Sequence, residues 1–200
     1  MRLLAVAALA GMLLAGCAVQ PPPAEGPGPR PDATLMQQWA ASGRLAIAGA
    51  GEGGSGAFVW QQDGATSRLD VRGPLGVGAL QIVATPESLS MTDGSGREVP
   101  AAAARAELTQ RLGADLPWSS LGYWMLGLPA PGAPATVSDA QTVPWRVIEQ
   151  EGWRVGYDAY TSASGYALPR RLTATRGDVR VKLVIDRWTL GAGSGPGATQ

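Results

Sequence analysis

The side chains that ordinarily make and break bonds are nearly absent from this chain. It has no histidine and one cysteine, Cys17, which removes Ser-His and Cys-His catalysis and the commonest metal ligands. The serines therefore lack a base. Carboxylates remain, but Glu149 and Glu151 flank a turn signal, and Asp70, Asp178 and Asp186 fall on the polar phase of alternating stretches. Solvated surface charge is the ordinary role of such residues, and an acid-base hydrolase would need a pocket carboxylate pair that this alternation does not display. The run Gly51-Glu52-Gly53-Gly54-Ser55-Gly56 formally matches a dinucleotide-binding fingerprint. That fingerprint must open a helix, whereas the next four residues, Ala57-Phe58-Val59-Trp60, read as a strand. A hairpin loop is expected instead. With 16 basic residues against 16 acidic ones, there is no excess charge to hold a polyanion, so nucleic acid is not an expected partner. The expectation is a protein that is not an enzyme and uses no metal or cofactor. Its asset is 45% hydrophobic residues, including 7 tryptophans.

Cys17 has a context of its own. Arg2 precedes an apolar run over residues 3–14, too short to span a bilayer as a permanent helix, and Leu14-Ala15-Gly16-Cys17 comes at once after it. The four residues resemble the lipobox of bacterial lipoproteins. That resemblance implies cleavage before Cys17, a thioether-linked diacylglycerol on its sulfur and acylation of the new amino terminus. Three acyl chains anchor stably where one would be marginal. The alternative is a secreted protein with one free thiol and no disulfide partner. Ala18, rather than an aspartate, comes after the cysteine, and by analogy with lipoprotein sorting this favours the outer membrane.

The elements that would position an apolar site can be read from periodicity. Residues 1–16 read as a signal peptide and residues 17–32 as an acylated cysteine with a Pro-rich tether, through Pro21-Pro22-Pro23 and Gly26-Pro27-Gly28-Pro29. At about 3.1 Å per residue the tether reaches on the order of 40 Å. Residues 33–190 read as one domain, and the Gly/Ser-rich residues 191–200 as a disordered tail. Asp32 is placed to cap a short helix through Leu35, Met36 and Trp39. Strands are predicted over 42–48, 57–62, 67–72, 77–84 and 88–92. Ala101 to Leu112 reads as a helix closed by Gly113. A second helix starts behind Pro117, runs over 118–126 and stops at Gly127 and Pro129, with apolar residues nearly all the way round, so it must be enclosed. Hairpins are predicted at 145–157, about Glu151-Gly152, and at 170–190, about Arg176-Gly177-Asp178. In the last strand Val179, Val181, Leu183 and Ile185 alternate with Arg180, Lys182, Val184 and Asp186.

The fold expected is mainly β, an unclosed antiparallel barrel of about nine to eleven strands wrapping central helices. The helices either fill it or leave an apolar cavity. Trp60, Leu69, Leu80, Ile82, Met91, Leu121, Trp124, Met125, Trp153, Leu183 and Trp188 are the candidate lining, although core and pocket share one composition and simple packing serves each as well. Gly73-Pro74-Leu75-Gly76 reads as a hairpin turn whose Leu75 would stand at an exposed tip; single exposed leucines are ordinary.

Several of these stretches together resemble the LolB family of outer-membrane lipoproteins. They are the lipobox, the segment ending at Trp39, Phe58-Val59-Trp60-Gln61-Gln62, Gly73-Pro74-Leu75-Gly76, Trp124-Met125-Leu126-Gly127-Leu128-Pro129 and Asp186-Arg187-Trp188. The likeness runs in order over most of residues 35–190. It implies a monomeric receptor with an apolar cavity that accepts acylated lipoprotein cargo from the periplasmic carrier LolA and inserts it into outer-membrane phospholipid. Leu75, flanked by Pro74 and Gly76, would be the membrane-insertion residue. The competing class is an envelope lipoprotein that binds a small hydrophobic ligand or serves as a structural subunit of an outer-membrane complex.

Overall fold

Period-two alternation dominates the chain and produces strands nearly everywhere. The computed structural model describes residues 29–32, 37–49, 53–73 and 78–191. Six strands come first: β1 (Gln38–Ala48), β2 (Gly54–Asp63), β3 (Thr66–Arg72), β4 (Leu80–Ala84), β5 (Leu89–Asp93) and β6 (Glu98–Val99). Two helices come next, α1 (Ala101–Leu112) and α2 (Trp118–Met125). Five more strands follow: β7 (Ala135–Asp139), β8 (Arg146–Gln150), β9 (Trp153–Ala163), β10 (Tyr166–Arg176) and β11 (Val179–Leu190).

All 11 strands form one antiparallel sheet in the order β6-β5-β4-β3-β2-β1-β11-β10-β9-β8-β7. Its edges, β6 and β7, are not paired with each other, so the barrel is unclosed. The helices lie between those two edges in sequence. The chain therefore leaves the sheet at one edge, packs two helices against its inner face and re-enters at the other.

Register explains which face is inner. Met91 pairs with Ile82, Ile82 with Leu69, Leu69 with Trp60, Trp60 with Ala41 and Ala41 with Trp188. One apolar row thus crosses six strands. A second row runs from Gly56 through Leu45, Leu183 and Leu172 to Tyr157. Alternation breaks in β11, where Gly43 faces Ile185 and Ser42 faces Arg187, leaving Asp186 as the extra residue of a bulge. Only glycine fits at position 43, because a Cβ there would stand 2.1 Å from the Val184 carbonyl oxygen. The bulge returns Trp188 to the inner face after Ile185, beside Trp39 at 5.3 Å between ring centroids.

Three expectations are corrected. Trp39 belongs to β1, not to a helix; residues 33–36 of that expected helix lie outside the described residues, as do residues 1–28 and 192–200. β6 and β7 are additional strands. β7 carries no alternation to read, because all five of its residues are exposed on an edge. β9 and β10 continue six and four residues beyond their predicted bounds at residues 157 and 170, to a turn at Ser164 and Gly165 with φ of 49° and 82°. Proline is ordinarily kept out of the interior of a sheet, and Pro169 falls within β10. It is accommodated at a register irregularity of β10, where its missing N–H interrupts no regular ladder.

Both helices end as glycine dictates. Gly113, at φ 78°, returns its N–H to the Thr109 carbonyl at 2.9 Å. Gly127, at φ 76°, donates to Trp124 O while Leu128 donates to Tyr123 O, both at 3.0 Å, which is the paired ending that satisfies orphan carbonyls. The position of α2 is then set by β8 and β9. The Tyr157 hydroxyl donates to Trp124 O at 2.8 Å. Gln150, 3% exposed, accepts from Trp124 Nε1 and Ala130 N–H at 2.9 Å and donates to Ala130 O at 2.8 Å and Ala133 O at 2.9 Å. Burial raises the Tyr157 hydroxyl well above its ordinary 10.0. A raised folded value favours the neutral form, so this contribution to stability is complete below the unfolded pKa and is lost as pH rises through the folded one.

Gln150→Leu would keep the volume but orphan four polar partners, three of them buried. At about 1–3 kcal/mol for each unsatisfied group, it is expected to lower the unfolding free energy by at least roughly 3 kcal/mol, read from urea denaturation. A shift under about 1 kcal/mol would show that α2 does not depend on this side chain.

Candidate functional site: an apolar cavity beneath the helices

Between α2 and the inner face of the sheet lies a cavity of about 170 Å³ with no polar surface. The two rows supply Trp60, Leu69, Ile82, Leu45, Leu183 and Leu172; α2 contributes Leu121, Trp124 and Met125; α1 and the segment after it contribute Leu108, Leu112 and Leu116. Among the described residues no titratable group lines this space. The site can bind aliphatic or aromatic matter by burial, and it has no means to orient a polar head.

The structure brings together on this wall every candidate named from sequence except Met91 and Trp188. Met91 points inward as expected, but α1 covers it: it is 1% exposed and packs with Ala104 and Leu108 in a separate core. Trp188 sits in a tryptophan cluster with Trp39, which in turn stacks on Trp60 at 6.2 Å, and its Nε1 donates to Pro169 O at 2.9 Å. These two side chains are core rather than wall. Sequence reasoning missed Leu45, Ile47, Phe58, Val71, Val155 and Val181, among others. Parity would have found them, since each lies two residues along its strand from another inner-face residue.

A second cleft of about 270 Å³ opens where the β2–β3 and β4–β5 turns end the sheet, with Gln62, Ser67, Thr85 and Tyr123 among its polar walls. Gln62 Oε1 accepts from Trp60 Nε1 at 3.0 Å and from Ser67 Oγ at 2.7 Å, so polar groups there are tied to one another. Trp118 lines both spaces. Its indole is therefore placed to act as a partition between the dry cavity and the more polar cleft.

At its other end the cavity reaches Val71 and Leu80, the last ladder pair before the connection between β3 and β4. Leu75, Pro74 and Gly76 of that connection, like Cys17, lie outside the described residues. Its flanks are closely held. A Cβ on Gly56 would stand 2.4 Å from the Arg72 carbonyl oxygen, so β2 approaches the end of β3 as only glycine permits. On the other side Ala79 packs against Gly94, in a turn organised by Asp93. The Asp93 carboxylate accepts from Ser95 Oγ at 2.6 Å and from Arg97 Nε at 2.9 Å, and the Ser95 hydroxyl leads the contacts that hold its pKa down to about 2.

If Trp118 divides the two spaces, Trp118→Leu joins them. Each further methylene that finds room adds about 0.8 kcal/mol, roughly fourfold in affinity. Affinity for a series of fatty acids of increasing length is expected to level off at a longer chain in Trp118→Leu than in the unaltered protein. Levelling at the same length would show that the indole is no barrier.

Comparison with known proteins agrees with this geometry. Residues 37–188 match the family described as Outer membrane lipoprotein LolB. A protein named Outer-membrane lipoprotein LolB from Azoarcus sp. (strain BH72) is 35% identical over 192 residues, covering 94% of this chain and 95% of that one. Its namesake from Alkalilimnicola ehrlichii is 34% identical over 194 residues, covering 94% and 96%. Among solved structures, a LolA superfamily protein from Nitrosomonas europaea has a TM-score of 0.46 at 8% identity, over 78% of this chain and 87% of that one, a likeness too remote to bear on function. With a family match across the whole sheet and both helices, and relatives similar from end to end, this chain belongs to the LolB family of outer-membrane lipoproteins.

Proposed function

We propose that the protein is a receptor for lipoproteins at the outer membrane. It accepts acylated cargo from the periplasmic carrier LolA, shelters the acyl chains beneath α2 and passes them to the inner leaflet, to which it is itself anchored, as a monomer, through acylated Cys17. The observation that carries this reading is the cavity without polar surface. At about 0.8 kcal/mol per methylene, exposing one acyl chain to water costs on the order of 10 kcal/mol. Passage between membranes therefore needs a dry pocket at each step, and delivery to a bilayer runs downhill because burial there is more complete. No nucleotide or covalent step is required.

The empty cavity, about 170 Å³, is close to the roughly 150 Å³ known to admit benzene. A long acyl chain needs more, so loading parts the walls. The unpaired edges β6 and β7 and the helices between them are where this can happen without breaking a ladder of hydrogen bonds.

The reading is tested by incubating the protein with LolA-bound lipoprotein and then adding outer-membrane phospholipid vesicles. Cargo is expected first with this protein and then in the vesicles; cargo that stays on LolA refutes the function. Leu75→Glu is expected to leave the unfolding free energy within about 0.5 kcal/mol, as surface substitutions do, and to keep cargo binding while impairing insertion. Normal lipoprotein localisation in cells carrying only this variant would refute the role of Leu75.

A further inference from the structure

Away from the cavity, the inner side of the barrel carries, beside Tyr157, a second cluster for which the proposed function has no use. Residues 29–32 do not hang free. The Pro29 carbonyl accepts the Ala167 N–H at 2.8 Å. Arg30 Nη2 then donates to Asp139 Oδ1 at 2.9 Å, at the end of the edge strand β7. Arg146, paired with Asp139 in the ladder and 8% exposed, donates from Nη1 to both oxygens of the same carboxylate at 2.9 and 3.0 Å. Two guanidiniums thus share one carboxylate.

Tyr160 completes the group. Its hydroxyl lies beside Gly127, and Arg30, Arg146 and Asp139 all act on it electrostatically. Burial raises its pKa, and the Arg30 guanidinium is the strongest influence the other way, near the hydroxyl but out of hydrogen-bond geometry. Three fully buried atoms of this cluster, Arg30 Nε, Arg146 Nε and the Tyr160 oxygen, have no hydrogen-bond partner. They are the only such side-chain atoms among the described residues. Buried donors without acceptors are rare in folded proteins and ask for an explanation. Here two of them are charged.

We propose that Arg30, Arg146 and Tyr160 form a binding site for a phosphate group, half of it supplied by the tether and half by the barrel, and that the bound anion clamps the tether to the wall. Asp139 already occupies Nη groups of both arginines, so the acceptor still wanted must serve the Nε edges and a phenol from separate directions. A tetrahedral oxyanion with several acceptor oxygens does this, and guanidinium forks suit it better than any other side chain. Its charge also balances the second guanidinium. Asp139 and Arg30 are 52% and 26% exposed along their side chains, so the rim of the cluster meets solvent and must part to admit the anion to the buried Nε atoms. The phosphate can be inorganic or the diester of a phospholipid headgroup.

The test uses the purified protein, 15N-labelled, with two probes. Inorganic phosphate is titrated against chloride at equal ionic strength, and dihexanoylphosphatidylglycerol below its micellar concentration against dihexanoylglycerol, which lacks the phosphate. Saturable shifts of the Arg30 and Arg146 Nε–H resonances are expected, with slower hydrogen exchange at the Ala167 amide as the tether tightens. Arg30→Gln, which lies outside the sheet and leaves the core intact, is expected to weaken binding about tenfold, the worth of one charged hydrogen bond. Tyr160→Phe weakens it less. Saturation by inorganic phosphate assigns the free ion; saturation by the lipid alone assigns the headgroup; either supports the site. Shifts no larger than those from chloride and glyceride, or affinities unchanged in both variants, overturn it and leave these donors to water.

Discussion

The inner face of a curled sheet must be kept from water without being filled, and most of this structure answers that constraint. The strands of the sheet, the edge β7 apart, present apolar residues to one side, and burial of such rows is the dominant favourable term in folding. A barrel closed on itself would pack its own interior. This one leaves β6 and β7 unpaired and lets the intervening chain cover the opening with two short helices. The rows touch the helices at some points and stand off at others, and the unfilled remainder is the cavity.

Several polar groups in the interior hold the cover in position. Gln150 and Tyr157 fasten the C-terminal end of α2 and the chain beyond it, while Trp153 Nε1 reaches Asp115 O at 3.3 Å in the segment joining the helices. Ser120 of α2 donates to the carboxylate of Glu151 in the β8–β9 turn. The anchors all come from the β8–β9 hairpin. Toward β2, β3 and β4, α2 presents Leu121, Trp124 and Met125 to the cavity and Gly122 to the Gln62 side chain; apolar contact is non-directional. The hydrogen-bonded anchors of the cover thus lie along one margin.

Much of this was legible because both periods are clear. The alternation from Val179 to Ile185 and the glycine endings at Gly113 and Gly127 specify strand and helices locally. What escaped depends on partners distant in sequence. β7 has no inner face to alternate. Pro169 is tolerated only because β10 is irregular where it falls. Trp39 repeats at helical spacing with Leu35 and Met36, yet pairs across β1 with Gln62 and Leu190. Gln150 reads as one more polar strand residue, and nothing local announces that its four partners lie in α2 and the loop after it. Met91 has the right parity for the wall and is removed from it only by the placement of α1.

An empty apolar cavity is also missing volume. Hydrostatic pressure favours whichever state occupies less space, and the destabilisation of a folded protein scales with the void that unfolding eliminates. The vacant form carries about 170 Å³ of such void, whereas a form whose cavity is occupied does not. Compression should therefore tell the two apart by partial molar volume alone, with no reference to how tightly the occupant is held.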